Sequence, residues 1–448
     1  MVKIKGRNLE LLVLPAILIV LLLLPHLLFF NNGYVDLEIY CVEAASDIAR
    51  HGVNADLADY FATIANPLFS VFILAGSYLI FGESPFVSRF TIFLLALLFT
   101  MFLYFYVRGK KGGAIAFLLA LLVVVNPMFI VYSQYVYSDV PFMIFAAVAL
   151  LLLLCGSSLK GNVVSAIMLG VSLATKYVAA VLFPLAFVYN VIKSGIWRHF
   201  SGVRLLALVR FNLWYFALSF LVSLPVILIV LHYQGTIIPS KYESSLALGI
   251  NMLLVPRIFS YMLWLGLFVG PLCIITIIDL WEKAGRKKFL FLLSGLIVLT
   301  LAVHYFFPVA SLHVQTGIFG EMNLGWVESV VPSLYLSVAF FFVILVAELF
   351  IAGMIFGLKH ADDGQAGNML LWIVLVMILM SFTRVANRYL LVLLVPISWH
   401  IVHIVYRMYF EGKFKRRLVK AVLPLHAVIF LAVGVYSNYY LYLRGIAG

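Results

Sequence analysis

Charged side chains are scarce in this sequence. They make up 11% of its 448 residues, against roughly 25% in an ordinary soluble domain. That scarcity excludes a water-exposed globular surface. Cysteine is scarcer still, with Cys41, Cys155 and Cys273 as the only three and no C-x-x-C pair among them, which excludes a disulfide framework and a cysteine zinc site. No repeat, Ser/Gly linker or low-complexity stretch divides the chain, so a single membrane domain over 1–448 is expected.

What is present instead is apolar length. Hydrophobic residues reach 65% and mean hydropathy is +1.14. Charge-free runs of the length that crosses a hydrocarbon core of about 30 Å recur from end to end. They predict spans near 11–30, 90–107, 113–131, 140–158, 161–175, 177–192, 211–232, 258–278, 289–307, 333–357, 367–383, 389–406 and 421–441. The fold class is therefore an all-α polytopic membrane protein with about thirteen spanning helices. The first run is too long for a signal peptide and no A-x-A site follows it, so it reads as an uncleaved span. Residues 161–192 are too long for one helix, and Lys176 at their middle predicts a hairpin turn there.

Net charge is +12, but the basic residues sit in short clusters between apolar runs. That placement fits a cytoplasmic membrane face and not a nucleic-acid groove. The same clusters orient the chain. If residues 60–82 lie along the outer surface, 22 of the 30 Lys and Arg fall inside; if they span, only 10 do. The first arrangement obeys the positive-inside bias. It predicts a cytoplasmic N-terminus, an extracytoplasmic C-terminus, and 11 of the 18 acids on the outer face.

Candidate residues gather on that outer face. Asp36 and Glu38 follow the first span, ahead of an amphipathic helix over 38–51 with Ile39, Val42, Ala45, Ile48 and Ala49 on its apolar face. A carboxylate at the membrane rim suits a general base, and a helix cap is the structural alternative for Asp36. Asp139 closes a stretch rich in tyrosine that includes Tyr137, and it either caps the next helix or serves the site. Lys176 either snorkels or holds an anion. Arg384 and Arg388 either anchor the interface or fork a phosphate. His400 and His403 share a helix face without a third ligand and read as structural.

With these residues in place, the chain resembles the GT-C superfamily of membrane glycosyltransferases, in the branch of protein O-mannosyltransferases and lipid A aminoarabinose transferases. The resemblance rests on Asp36-Leu37-Glu38 after the first span and on Asn66-Pro67-Leu68-Phe69 through Glu83 to Arg89. Tyr137-Ser138-Asp139-Val140-Pro141, then Thr175-Lys176-Tyr177, then Arg388-Tyr389 complete it. It implies that 31–88 form a first outer loop with juxtamembrane helices, 89–192 the GT-C helical core, and 193–448 variable helices for carrier and acceptor. It implies inverting transfer of a hexosyl or mannosyl group from a polyprenyl- or dolichyl-phosphate donor to a protein, lipid or glycan acceptor outside the cell membrane. Asp36, Glu38 and Asp139 take the catalytic roles, Lys176, Arg384, Arg388 and Tyr137 bind substrate, and a divalent metal is an option for the three acids. The lack of a large soluble C-terminal domain sets it apart from oligosaccharyltransferases. The competing readings are a secondary transporter, against which no paired repeats or broken helices appear, and a non-catalytic member of a glycan-assembly complex.

Overall fold

The computed structural model describes residues 9–27, 29–31, 33–34, 38–64, 66–156, 158–194, 196, 201–236, 254–306, 333–358, 364–381 and 391–447. Among the described residues there is no strand. The helices are α1 (Leu14–Leu23), α2 (Glu38–His51), α3 (Ala58–Thr63), α4 (Phe69–Phe81), α5 (Pro85–Lys111), α6 (Gly113–Val124) and α7 (Pro127–Tyr132). They continue as α8 (Asp139–Cys155), α9 (Leu159–Thr175), α10 (Leu182–Ser194), α11 (Gly202–Gln234), α12 (Leu254–Val269), α13 (Cys273–Ala284) and α14 (Arg286–Phe306). The last are α15 (Ser333–Leu358), α16 (Gly364–Ser381), α17 (Leu394–Phe410) and α18 (Lys413–Ala447).

Each expected span falls on one of these helices or on two in close succession. Among the described residues, seven stretches of 18 residues or more are long and apolar enough to cross a membrane: 85–111, 177–194, 202–234, 261–284, 338–355, 391–410 and 413–439. Shorter apolar helices fill several of the remaining expected positions. The chain is a multi-pass, all-α membrane protein.

Local chemistry sets the boundaries. Ser84 Oγ accepts from Val87 N at 3.1 Å and Pro85 opens α5, whose φ it presets. Asn126 Oδ1 accepts from Met128 N at 3.0 Å ahead of Pro127, so α6 and α7 are separate helices within one expected span. Ser158 Oγ accepts from Gly161 N at 3.1 Å and caps α9. Gly82 and Gly235 take φ of +80° and +68° to end α4 and α11. Residues 60–82 contribute α3 and α4; α4 has 13 residues, about 20 Å, well short of a hydrocarbon core of about 30 Å.

The chain folds as two compact units. One holds residues 28–96 and 132–248 with the last four residues; the other holds 1–27, 97–131 and 249–444. In the first unit the chain turns back and forth. The helix breaks at Lys176, which adopts extended φ −158° and ψ 132°, and a 3-10 turn over 177–181 leads into α10. Lys176 meets Asp139 at one end of α8. At the other end Tyr189 Oη donates to the Leu154 carbonyl at 3.1 Å. Thus α9 runs against α8 and α10 runs back along it, as the expected hairpin requires. Then α11 returns: Asn190 Nδ2 donates to Asn212 Oδ1 at 2.8 Å, and further on Tyr233 Oη donates to the Ala55 carbonyl at 2.7 Å. The backbones of α9 and α11 come so close at Gly170 that a Cβ there would collide with the Ser219 carbonyl.

This winding separates charge within the unit. Among its described residues, Lys160, Lys193, Arg204 and Arg210 lie toward one end. Every described acid of the unit, from Glu38 to Asp139, lies toward the other.

Candidate functional site

The acid-bearing end is built on α2, whose observed bounds match the expected 38–51. Its buried face is rotated from the expected one. Val42 and Ala45 are buried as expected, but Ile39 is exposed, and Glu38, Cys41 and Ala44 are buried in its place. The reason is an ion pair that periodicity could not register.

Glu38 is fully buried. Arg89, in the first turns of α5, grips it with both ends of its guanidinium: Nη1 donates to Oε1 at 3.1 Å and Nη2 to Oε2 at 3.0 Å. The backbone N–H of Val136 adds a third bond to Oε1 at 2.6 Å. Arg89 also donates to the Gln134 carbonyl at 2.7 Å and the Gly33 carbonyl at 2.6 Å. One carboxylate and one guanidinium thus fasten α2, α5, the segment after the first span and the loop before α8. Both oxygens of Glu38 are engaged, which fits a positioning role better than contact with an acceptor hydroxyl. Beside the pair, Tyr34 and Tyr78 donate to Ser88 Oγ at 2.9 and 2.5 Å, and Ser88 donates on to the Ser84 carbonyl at 2.9 Å.

Asp139 and Lys176, separate candidates in the sequence, form a buried ion pair, with side chains 3% and 4% exposed. Asp139 is the first residue of α8, where the helix dipole favours an anion. Lys176 neither snorkels nor stands alone: the break after α9 turns it onto Asp139. Cys41 lies within the fields of Glu38, Asp139 and Lys176; burial first, then the two carboxylates, push its thiol up.

Tyr137 is half-buried and packs against the α2 core, its ring 5.8 Å from that of Tyr135, which lies 5.8 Å from Tyr132. A cleft of about 390 Å³ opens beside α2, lined by Glu43, Asp47, Asp56, Asp59 and Glu83, with Arg50 and Tyr60. Glu83 in its wall accepts from Ser46 at 2.5 Å and from Arg50 at 2.7 Å. Asp47 takes a 2.7 Å bond with His51 that holds its carboxyl below the ordinary value. Among the described residues, no three His, Cys, Asp or Glu side chains converge to hold a metal. Asp36, Arg384 and Arg388 lie outside the described residues. In the other unit His403 Nδ1 bonds the Trp399 carbonyl at 2.9 Å and His400 packs on the ring of Phe350.

Arg89 is the residue that sequence reasoning passed over, since it figured only as the end of a motif. Its signal is that it stands alone in the first turns of a 27-residue apolar helix, away from every basic cluster.

Residues 65–220, which contain Arg89, Tyr137, Asp139 and Lys176, match the family model of dolichyl-phosphate-mannose-protein mannosyltransferases. Among solved structures, ArnT from Cupriavidus metallidurans bound to undecaprenyl phosphate superposes with a TM-score of 0.56 at 15% identity, over 98% of this chain and 77% of that one. The chain has the GT-C fold. A second GT-C structure is similar: the archaeal oligosaccharyltransferase AglB from Archaeoglobus fulgidus, in complex with an inhibitory peptide and a dolichol-phosphate. Its TM-score is 0.53 at 14% identity, over 96% of this chain and 56% of that one. No curated protein sequence matches the chain. The expected resemblance to the O-mannosyltransferase and aminoarabinose transferase branch of the GT-C superfamily is thereby borne out.

Proposed function

We propose that this GT-C chain is an inverting glycosyltransferase that moves a sugar from a polyprenyl- or dolichyl-phosphate carrier to an acceptor hydroxyl on the outer face of the cell membrane. The observation that carries this reading is the buried Asp139–Lys176 pair, held next to the Glu38–Arg89 strut at the acid-bearing end of its unit. The match to the mannosyltransferase family over 65–220 supports it, as do two neighbours of the same fold, one bound to undecaprenyl phosphate and the other to dolichol-phosphate.

The chemistry needs little from the protein. A lipid phosphate is already a good leaving group, so no strong general acid is required. A base must take the proton of the acceptor hydroxyl, and a cation must meet the charge that develops on the phosphate. The acceptor oxygen bonds to the anomeric carbon, the bond from that carbon to the phosphate oxygen breaks, and its electron pair stays on the phosphate. Asp36 takes the proton. Two residues after it in sequence, Glu38 is fully engaged, and this is why Asp36 is the better base. Lys176 serves the phosphate. Tyr137 and the acid-lined cleft beside α2 offer a ring face and hydrogen-bond acceptors to a hydroxyl-rich acceptor.

The test is direct. Purified protein in lipid nanodiscs is given dolichyl-phosphate mannose and, separately, undecaprenyl-phosphate aminoarabinose, each with candidate peptide, lipid and glycan acceptors. Mass spectrometry follows release of the free carrier phosphate and the mass gained by the acceptor, and proton NMR reads the product anomer. Carrier release with inversion supports the reading. No release above an Asp36→Asn control with either donor counts against it. The outer-face assignment is read by cysteine labelling in intact cells. An impermeant thiol reagent is expected to reach Glu83→Cys and not Lys287→Cys, and the reverse pattern inverts the topology.

A further inference from the structure

We infer that the start of α18 is a binding site for an anionic phospholipid, whose phosphate supplies the negative charge that one face of this helix lacks. The inference does not draw on the glycosyltransferase reading and stands or falls apart from it.

Lys413, Arg416, Arg417 and Lys420 follow the spacing i, i+3, i+4, i+7 in the first turns of α18, so they share one helix face. All four are exposed. Like charges at that spacing repel, and among the described residues no acid meets any of the four. The acids of this corner are engaged elsewhere. Asp279 pairs with Lys283 and Arg407, Glu411 with Arg407 and Lys415, and Glu282 with Lys415. Lys415 lies off the stripe, and its bonds to Glu282 at 2.5 Å and Glu411 at 2.9 Å complete that balance of three acids and three bases. The stripe is left over, but it is not left loose. Arg416 donates from Nε to the Tyr409 carbonyl at 3.0 Å and holds its guanidinium 5.3 Å from the centre of the Tyr409 ring; Lys420 Nζ stands 6.0 Å from the same ring. One aromatic ring thus gathers two like charges. The positive-inside bias accounts for the sign of these residues and not for their gathering on one face.

The helix itself sets the level of the stripe. With 35 residues α18 is about 52 Å long, against a hydrocarbon core of about 30 Å. Residues 421–443 carry no Asp, Glu, Lys or Arg, so the apolar stretch starts right after Lys420 and the stripe falls among the headgroups. Phe410 and Phe414, next to it in sequence, are 61% and 72% exposed, an apolar flank suited to the boundary between headgroups and acyl chains. A soluble polyanion would meet the cations alone. An anionic phospholipid meets both, with its phosphate on the stripe and its chains against the rings and the apolar turns that follow.

The experiment titrates the purified full-length chain in a neutral detergent with phosphatidylglycerol and with phosphatidylcholine, and native mass spectrometry counts the bound lipid. Wild type should prefer phosphatidylglycerol, and the preference should fall as salt rises. Arg417→Gln should weaken phosphatidylglycerol binding about fivefold. Lys413→Gln, Arg416→Gln, Arg417→Gln and Lys420→Gln together should abolish the preference. Lys415→Gln removes a cation from the same turns but not from the stripe, and should weaken binding less than Arg417→Gln. Glycerophosphoglycerol, the headgroup without acyl chains, should compete poorly. Equal binding of the two lipids by wild type, or a preference that survives the combined variant, overturns the site. A loss in Lys415→Gln as large as in Arg417→Gln overturns it too, because net charge and not a helix face would then be at work. A free headgroup that binds as tightly as the lipid overturns the lipid as occupant. Should the combined variant not fold, Arg417→Gln and Lys413→Gln, single changes at exposed positions, carry the test, and unchanged binding in both overturns the site.

Discussion

Two charged regions, one in each compact unit, use acids and bases differently. In the unit that carries the candidate site, Glu38 reaches Arg89 across 51 positions and Asp139 reaches Lys176 across 37, and all four side chains are almost dry. In the other unit, Asp279 is as buried, but its partners Lys283 and Arg407 are 12% and 38% exposed, and the cluster runs on through Glu411, Lys415 and Glu282 at the surface. Several of those pairs are four residues apart in sequence. Shared, half-wet pairs near helix ends anchor spans at an interface. Dry pairs between distant segments cost desolvation and persist where their geometry serves something besides stability.

Substitutions sharpen that contrast. Arg89→Met takes the guanidinium from a fully buried Glu38 and from the Gly33 and Gln134 carbonyls. It is expected to remove roughly 3–5 kcal/mol of stability, read as a large fall in the thermal midpoint in detergent. An Arg89→Met midpoint near wild type would erase the distinction between the two regions. Gly170→Val forces a Cβ into the Ser219 carbonyl where α9 meets α11 and should cost about 1–3 kcal/mol without touching either pair. Lys415→Met removes exposed bonds to Glu282 at 2.5 Å and Glu411 at 2.9 Å and should cost at most about 1 kcal/mol.

The smallest effect belongs to Asp47, on the rim of the cleft. The His51 hydrogen bond chiefly, then the Asp56 N–H, hold its carboxyl below the ordinary value. A depressed carboxyl stabilises the fold above its unfolded value, about 3.9, and that contribution fades as pH falls through the lower folded value. Asp47→Asn should therefore lower the midpoint slightly at pH 7, and the gap from wild type should close below about pH 4. A gap that persists in acid would mean that Asp47 acts through packing and not through charge.

The helices of this fold could be read from the sequence because their causes are local. Charge-free length gave the spans, period 3.6 gave α2 with its observed bounds, and a lone lysine between apolar runs marked the break at 176. The pairings could not be read. That Glu38 faces Arg89, or that Lys176 faces Asp139, depends on how α5, α8 and α9 come to lie together, and no periodicity encodes it. The rotated face of α2 has the same origin: burying Glu38 against Arg89 outweighs burying Ile39. Asp279 and Arg407 went unremarked because each sits beside basic clusters that the positive-inside pattern already explained.

In the proposed transfer Asp36 is the base and Glu38 is a strut. Single-turnover transfer from dolichyl-phosphate mannose by purified Asp36→Asn, set beside its thermal midpoint, tests it most directly. The expected result is a midpoint near wild type and a rate lower by roughly 100- to 10,000-fold. An Asp36→Asn protein that folds normally and transfers sugar at the wild-type rate would contradict it.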